Sequence, residues 1–237
     1  MRYEKLDILR GIAIVLMVLF HLNYILVHIF GIDSLNFSFI FWLFIGKIGA
    51  LLFIIISGIS FFLAEKKYGN KIVKKYLKYA FFLGIISLFI SFYTYLFLPS
   101  QIILFGILHF FSLSFLLILF FRRFRYFNFL FGILIILFPL FFTMKTSSYY
   151  LFFLGFLYPG FYSADFYPVF PYFGVFLFSY TSAIFLSKKG FLETIFGGKY
   201  SGKITNFLKF IGKNSLLIYL IHPPIIIGIM YLILKFL

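Results

Sequence analysis

The sequence has 237 residues, of which 64% are hydrophobic, 26% aromatic and only 11% charged. Soluble domains are typically about 45–50% apolar and about 25% charged. This composition therefore excludes a soluble globular protein, a disordered chain and a nucleic-acid-binding domain. The mean hydropathy of +1.11 is typical of a protein that crosses a membrane several times. The net charge of +15 then indicates basic loops that face anionic lipid.

Long apolar runs predict that the membrane spans are helices. A transmembrane β-barrel would instead show short segments of alternating polarity. At about 30–35 residues for each span and its connection, the chain holds about seven helices. We therefore predict an all-α, polytopic helix bundle that forms a single domain over residues 1–237. The chain has no cysteine, so a cysteine-based metal site is excluded, and we predict no metal.

Seven apolar segments are predicted to cross the membrane. Their approximate bounds, in chain order, are 8–29, 38–64, 76–98, 101–121, 127–144, 169–187 and 214–236. Within the second segment, residues 38–46 are expected to lie in the outer interface, because Gly46 and Gly49 flank Lys47. Residues 149–161 are apolar but too short to cross, so we expect an interfacial or re-entrant piece there. Residues 204–211 are predicted to form a short amphipathic helix.

The basic residues lie almost all on one side of this arrangement. Of the 21 basic residues, 18 fall at the start of the chain and in the connections after the second, fourth and sixth spans. The alternate connections contain only Lys145. Because cytoplasmic loops carry an excess of Lys and Arg, the N-terminus is predicted to be cytoplasmic and the C-terminus external. We expect a multi-pass protein of the cell membrane.

Ionisable residues within a membrane span are costly and are therefore functional candidates. The first span carries Asp7, Arg10, His21 and His28. Arg10 and His21 are eleven residues apart, a spacing that places both on one face of a helix and about 16 Å apart along its axis. His28 lies close to the same face. The helix thus presents a cation at its cytoplasmic end and an imidazole about two thirds of the way across.

Two more histidines are predicted at similar depths. His109 and His222 each lie about 12 Å from one end of their span. His222 precedes Pro223 and Pro224, which remove two backbone donors and predict a broken helix facing protein or a polar cavity. The three buried histidines and the broken helix suggest one internal polar cavity. The plainer alternative is that each histidine only forms a hydrogen bond between helices.

Several sequence blocks carry a resemblance to known enzymes. The run LDILRGIAIVLMVLFH (6–21) resembles the opening of the transmembrane acyltransferases, among them the type-3 acyltransferases of bacterial envelopes, in which Arg is followed by ten residues and then His. The blocks at 51–60, 105–114, 165–174 and 214–225 look like successive blocks of a bacterial and archaeal family. That family is related to the catalytic domain of heparan-alpha-glucosaminide N-acetyltransferase.

This resemblance implies an acyltransferase that moves an acyl group, such as acetyl, from cytoplasmic acyl-CoA to an extracytoplasmic sugar or aminosugar. Arg10 would then bind the phosphates of CoA through charge-assisted hydrogen bonds. His21 would act as the catalytic general base or form an acyl-imidazole. The remaining candidates, which would line the cavity or orient substrate, are His28, Lys47, His109, Asp165 and His222.

Acetyl-CoA or another acyl-CoA is thus the expected co-substrate. The expected partners are membrane lipids and a glycan or aminosugar acceptor, with no nucleic acid. The sequence leaves the oligomeric state open, a homodimer included. Two other classes of function also remain: a small solute transporter or flippase with a histidine-lined cavity, and a structural membrane protein without a substrate. Turnover of a thioester distinguishes the enzyme from the transporter.

Overall fold

The computed structural model describes residues 3–32 and 38–236, with only the backbone at Phe39. This part of the chain is all-α, as predicted, and its only β-pairing consists of two isolated bridges. Its α-helices are α1 (Glu4–His28), α2 (Phe39–Tyr68), α3 (Ile72–Phe97), α4 (Ile107–Phe121), α5 (Asn128–Phe141), α6 (Val169–Lys188), α7 (Phe191–Phe196), α8 (Lys203–Lys213) and α9 (Ser215–Lys235).

Five helical segments of the described ranges are long and apolar enough to cross a membrane. They are Glu4–His28, Ile40–Phe97, Ile107–Phe141, Val169–Lys188 and Ser215–Lys235. Two of these segments hold a pair of helices each, α2 with α3 and α4 with α5, joined by short 3-10 turns. The polytopic membrane character is confirmed. The count of seven spans and the sides on which the termini lie stay predictions.

The predicted span 101–121 starts too early. Pro99 opens a 3-10 turn that ends at Gln101, and α4 begins only at Ile107. Between them the backbone pairs with a later loop, since Ala164 N donates to Ile102 O at 2.9 Å and Tyr167 N donates to Phe105 O at 3.0 Å. Because the first residues of the apolar run bond to this loop, the helix starts six residues later than predicted.

α2 is one continuous helix of 30 residues, with no break at Gly46 or Gly49. Both glycines lie against α1. A Cβ at Gly46 would press on the Phe20 ring, and one at Gly49 would come within 3.0 Å of Met17. Small residues let membrane helices approach closely. The glycines therefore serve helix packing and do not separate residues 38–46 from the rest of the segment.

The break predicted in the last helix is also absent. α9 continues through Pro223 and Pro224 as a single helix of 21 residues. The fixed φ of proline is compatible with a helix, so each proline removes one backbone hydrogen bond without ending the helix. The amphipathic segment predicted at 204–211 is confirmed as α8. Residues 149–161 form no α-helix: they contain a 3-10 turn at Phe152–Leu154 and a β-bridge between Leu157 and Lys145. Their interfacial or re-entrant position stays a prediction.

The described helices group into two compact units. The first unit comprises Met1–Ile56 and Gly190–Leu237, and the second comprises Ser57–Lys189. The prediction of a single domain stays a prediction. In the first unit α1 packs against α8 at two glycines: a Cβ at Gly11 would meet the carbonyl oxygen of Leu208, and one at Gly212 would meet that of Asp7.

In the second unit α3 packs with α4 and α5 packs with α6. The α5–α6 pair approaches closely at Gly132 and Gly174, where a Cβ on Gly132 would lie 3.0 Å from the carbonyl oxygen of Gly174. α3 turns an apolar face outward, since Phe81, Ile85 and Phe89 are between 66% and 69% exposed. Such a large exposed apolar face suits lipid contact.

Candidate active site

The first unit brings together two of the predicted histidines, His21 of α1 and His222 of α9. The centroids of their imidazole rings lie 4.9 Å apart, and the ring planes meet at 61°. His222 is only 6% exposed, and His21 is half-buried. The two residues are 201 positions apart in the sequence, so the pairing of α1 with α9 creates this site.

The backbone decides which ring nitrogen of each histidine is basic. Nδ1 of His21 lies 2.8 Å from the carbonyl oxygen of Met17, and Nδ1 of His222 lies 3.1 Å from that of Ile218. A carbonyl only accepts, so each Nδ1 carries the hydrogen and donates it. In the neutral ring the lone pair is then on Nε2. Both imidazoles are thus held in the tautomer that a general base at Nε2 requires.

Nε2 of His222 is buried and has no hydrogen-bond partner among the described residues. Buried polar atoms are normally satisfied, so an orphaned acceptor of this kind calls for an explanation. Within α9, the Ile218 carbonyl bonds to the other ring nitrogen, Nδ1. Pro223 cannot donate to the carbonyl of Tyr219, yet α9 continues through this position.

Tyr219 completes an aromatic cluster with the two histidines. Its ring centroid lies 6.3 Å from that of His21 and 5.6 Å from that of His222. Tyr219 was not among the sequence-predicted site residues. Its position three residues before His222 on the same helix is the signal that could have identified it.

Arg10 is held in place near the start of α1. Its Nη1 donates to Oδ1 of Asp7 at 2.8 Å, and the Asp7 side chain is only 2% exposed while that of Arg10 is 23% exposed. The pair is therefore more than a solvated surface ion pair. A guanidinium carries five N–H donors in a planar fork, and the contact with Asp7 orients this fork.

A second set of polar contacts ties the start of α1 to the segment between α6 and α9. Lys209 Nζ donates to Oε2 of Glu4 at 3.0 Å, and the Tyr200 backbone N–H donates to the same oxygen at 3.1 Å. Tyr3 Oη donates to Oε2 of Glu193 at 2.9 Å. Burial, together with the Glu193 carboxylate, raises the pKa of Tyr3 above its ordinary value, which keeps this phenol a donor. These residues stabilise the end of α1 that carries Arg10.

His109 belongs to the second unit, where both of its ring nitrogens are engaged. Its Nδ1 accepts a hydrogen bond from the Gly106 backbone N–H at 3.2 Å. Nε2 must then carry the hydrogen, which it donates to Oγ of Ser91 at 3.1 Å. Ser91 Oγ in turn donates to the Ile103 carbonyl at 2.6 Å. His109 therefore closes the first turn of α4 and has no lone pair left for substrate.

Asp165 has a similar structural role at the same helix start. Its Oδ2 accepts the Ile107 backbone N–H at 2.9 Å, so it caps the N-terminus of α4. Negative charge is favourable there because it meets the positive end of the helix dipole. Burial and the Asp165 carboxylate also raise the pKa of Tyr167 well above its ordinary value. A role for Asp165 in binding the acceptor stays a prediction.

His28 and Lys47, the other two candidates, are exposed. The His28 ring packs on Tyr24, with their centroids 4.4 Å apart. Neither residue joins the His21–His222 pair. No cluster of three His, Asp or Glu side chains suited to a metal ion is found in the ranges that the structure describes.

One family model matches almost the whole chain. The family model described as "Heparan-alpha-glucosaminide N-acetyltransferase, catalytic" matches residues 2–224. The chain belongs to this family. The predicted relationship to the transmembrane acyltransferases is thereby confirmed, and the family implies a membrane acetyltransferase. No curated protein sequence and no solved structure matches the chain.

Proposed function

We propose that this family member transfers an acetyl group from cytoplasmic acetyl-CoA to a sugar or aminosugar on the outer side of the cell membrane. The observation that carries the proposal is the imidazole pair. His21 and His222 both keep Nδ1–H on a backbone carbonyl, which leaves basic Nε2 atoms in one cluster with Tyr219. A neutral, oriented imidazole is what removal of a proton from an acceptor hydroxyl or amine requires.

The reaction needs one base and one leaving group. As the acceptor oxygen or nitrogen bonds to the thioester carbonyl carbon, its proton passes to Nε2 of His21. The carbon–sulfur bond then breaks, and the departing CoA thiolate takes the proton back from the imidazolium. The His222 ring, 4.9 Å away centre to centre, faces the positive charge that develops on His21 and stabilises it. In a two-step variant, His21 itself attacks the thioester and carries the acetyl group to the acceptor.

Arg10 would bind the acyl donor, acetyl-CoA, at the other end of α1 from His21. α1 is a continuous helix from Glu4 to His28, so Arg10 and His21 are separated by about 16 Å along its axis. This separation is of the order of an extended pantetheine arm. A phosphate group of CoA at Arg10 would therefore place the thioester near His21. Asp7 holds Arg10 in position for this contact.

The test is thioester turnover by the purified protein in lipid nanodiscs, with radiolabelled acetyl-CoA. We expect slow release of CoA even without an acceptor, and faster release when a suitable aminosugar is present. His21→Asn keeps a donor for the Met17 carbonyl but removes Nε2. Loss of a general base typically costs about 10²–10⁴ in rate, so turnover should fall by that factor while CoA affinity is retained.

His28→Asn is the matched control, because it makes the same chemical change at an exposed histidine of the same helix. It should keep wild-type turnover. No thioester turnover by the wild-type protein with any aminosugar or glycan acceptor, combined with uptake of a solute into proteoliposomes, would instead establish the transporter alternative. Wild-type turnover in His21→Asn would show that the base is another residue.

A further inference from the structure

The second unit contains a cavity of about 770 Å³ that the proposed reaction does not use. Ligand sites for small molecules typically have volumes of about 300–1,000 Å³. The cavity lies where the ends of α2, α4 and α6 meet the 3-10 turn Arg122–Phe127. Its charged lining residues are Lys66, Arg122, Arg123, Arg125, Lys188 and Glu65.

The single carboxylate of the cavity is already engaged. Oε2 of Glu65 accepts the hydroxyl of Tyr180 at 2.8 Å, and Oε1 lies 3.4 Å from Nη1 of Arg122. Tyr180 is only 1% exposed, so it anchors Glu65 against the helix core. One of the five cations is therefore paired with Glu65. The sequence of the second unit has one other acidic residue, Asp165, and that carboxylate caps α4.

Arg125 is the clearest unmatched cation. Its guanidinium is exposed and has neither a hydrogen bond nor an ion pair with any described residue. Its backbone has φ 42° and ψ −104°, a region that non-glycine residues adopt only at a cost. Strained residues of this kind cluster at active sites and ligand clamps. Arg123 beside it packs over the Phe120 ring at 3.8 Å, which orients a second guanidinium at the rim of the cavity.

We propose that this cavity binds a phosphorylated ligand through at least two phosphate oxygens held by Arg125 and its neighbours. The planar fork of arginine matches phosphate geometry, and the excess of cations leaves a charge that only an anion would neutralise. All five basic residues belong to connections predicted to face the cytoplasm. Two sources share this chemistry: a free nucleotide bisphosphate and the headgroup of an anionic phospholipid.

Binding is measured by calorimetry on the full-length protein in neutral detergent, without any catalytic step. Pyrophosphate reports the shared chemistry. Adenosine 3′,5′-bisphosphate reports the nucleotide source, and monomeric dihexanoyl phosphatidylglycerol, compared with the phosphatidylcholine analogue, reports the lipid source. We expect Arg125→Gln to weaken pyrophosphate binding by about tenfold, the loss typical of one hydrogen bond to a charged group. The double variant Arg123→Gln, Arg125→Gln should weaken it further.

Lys74→Gln is the control, because it removes one exposed positive charge of the same unit that does not line the cavity. It should leave the affinity within twofold of wild type. Thermal unfolding checks that each variant is folded. The organic probe whose affinity also falls in Arg125→Gln identifies the source of the ligand. Equal affinities of wild type and Arg125→Gln for all the probes would overturn the proposal.

The two proposals fail separately in these experiments. Arg125-dependent phosphate binding in a protein that does not turn over acetyl-CoA would leave the cavity assignment standing and remove the proposed function. Acetyl transfer by a protein whose phosphate binding is unchanged in Arg125→Gln would leave the proposed function standing and remove the cavity assignment.

Discussion

The two units of this protein use histidine in opposite ways. In the first unit His21 and His222 each engage one ring nitrogen, Nδ1, on a carbonyl of their own helix. In the second unit His109 engages both nitrogens, one on a backbone N–H and one on a serine hydroxyl. All three histidines are predicted at similar depth in apolar segments. The rings therefore differ in their partners and not in their predicted depth, and under the proposed function only those of the first unit have a chemical role.

The partners differ because the local backbone differs. His21 and His222 lie inside continuous helices, where the carbonyl four residues earlier is within reach of Nδ1. His109 lies in the first turn of α4, where backbone N–H groups have no helical acceptor. A histidine at that position is therefore drawn into capping.

Among His222, His109 and Asp165, the largest effect is expected at His222. His222→Asn keeps a donor for the Ile218 carbonyl but removes Nε2 beside His21. Stabilisation of a charged partner by one contact is worth about 1.5–3 kcal/mol, so kcat should fall by about ten- to a hundredfold while KM for acetyl-CoA is unchanged. Steady-state kinetics in nanodiscs measure both constants. An unchanged kcat would show that His222 is a packing residue. His222 and His109 would then both have structural roles.

A change of stability without a change of chemistry is expected at His109. His109→Leu leaves the Gly106 N–H without its acceptor, and an unsatisfied buried group costs about 1–3 kcal/mol. The free energy of unfolding, measured by denaturant titration in detergent, should fall by that amount. Turnover per folded molecule should match wild type. A loss of turnover at full stability would place His109 among the reacting groups.

The smallest effect is expected at Asp165, which caps the same helix. Removal of an N-cap side chain typically costs about 1 kcal/mol. Asp165→Ala should therefore destabilise the protein by that amount, and Asp165→Asn, which keeps an oxygen for the Ile107 N–H, should do so less. Parallel unfolding curves of the two variants test this order. If Asp165→Asn instead abolished acetyl transfer at wild-type stability, the carboxylate would bind the acceptor as the sequence analysis expected.

The sequence was most informative where function depends on a single helix. Arg10 and His21 are both on α1, and their spacing follows from the regular rise and turn of a helix. The amphipathic character of α8 is likewise local. By contrast, the start of α4 was misplaced by six residues because its hydrogen bonds come from a loop near residue 165. The break expected at Pro223 failed because two missing hydrogen bonds did not end a helix of 21 residues.

The sequence by itself determined that the protein is helical, lies in a membrane and belongs to an acetyltransferase family. These properties follow from composition, helical period and short motifs, which depend on neighbouring residues. Only the tertiary structure decided that His222 meets His21 within the first unit, and that Arg122–Phe127 shapes a basic cavity with Lys66 and Lys188 within the second. The physical reason is that spans apolar on every side carry little information about which face meets which helix. Close glycine contacts and buried hydrogen bonds make that choice.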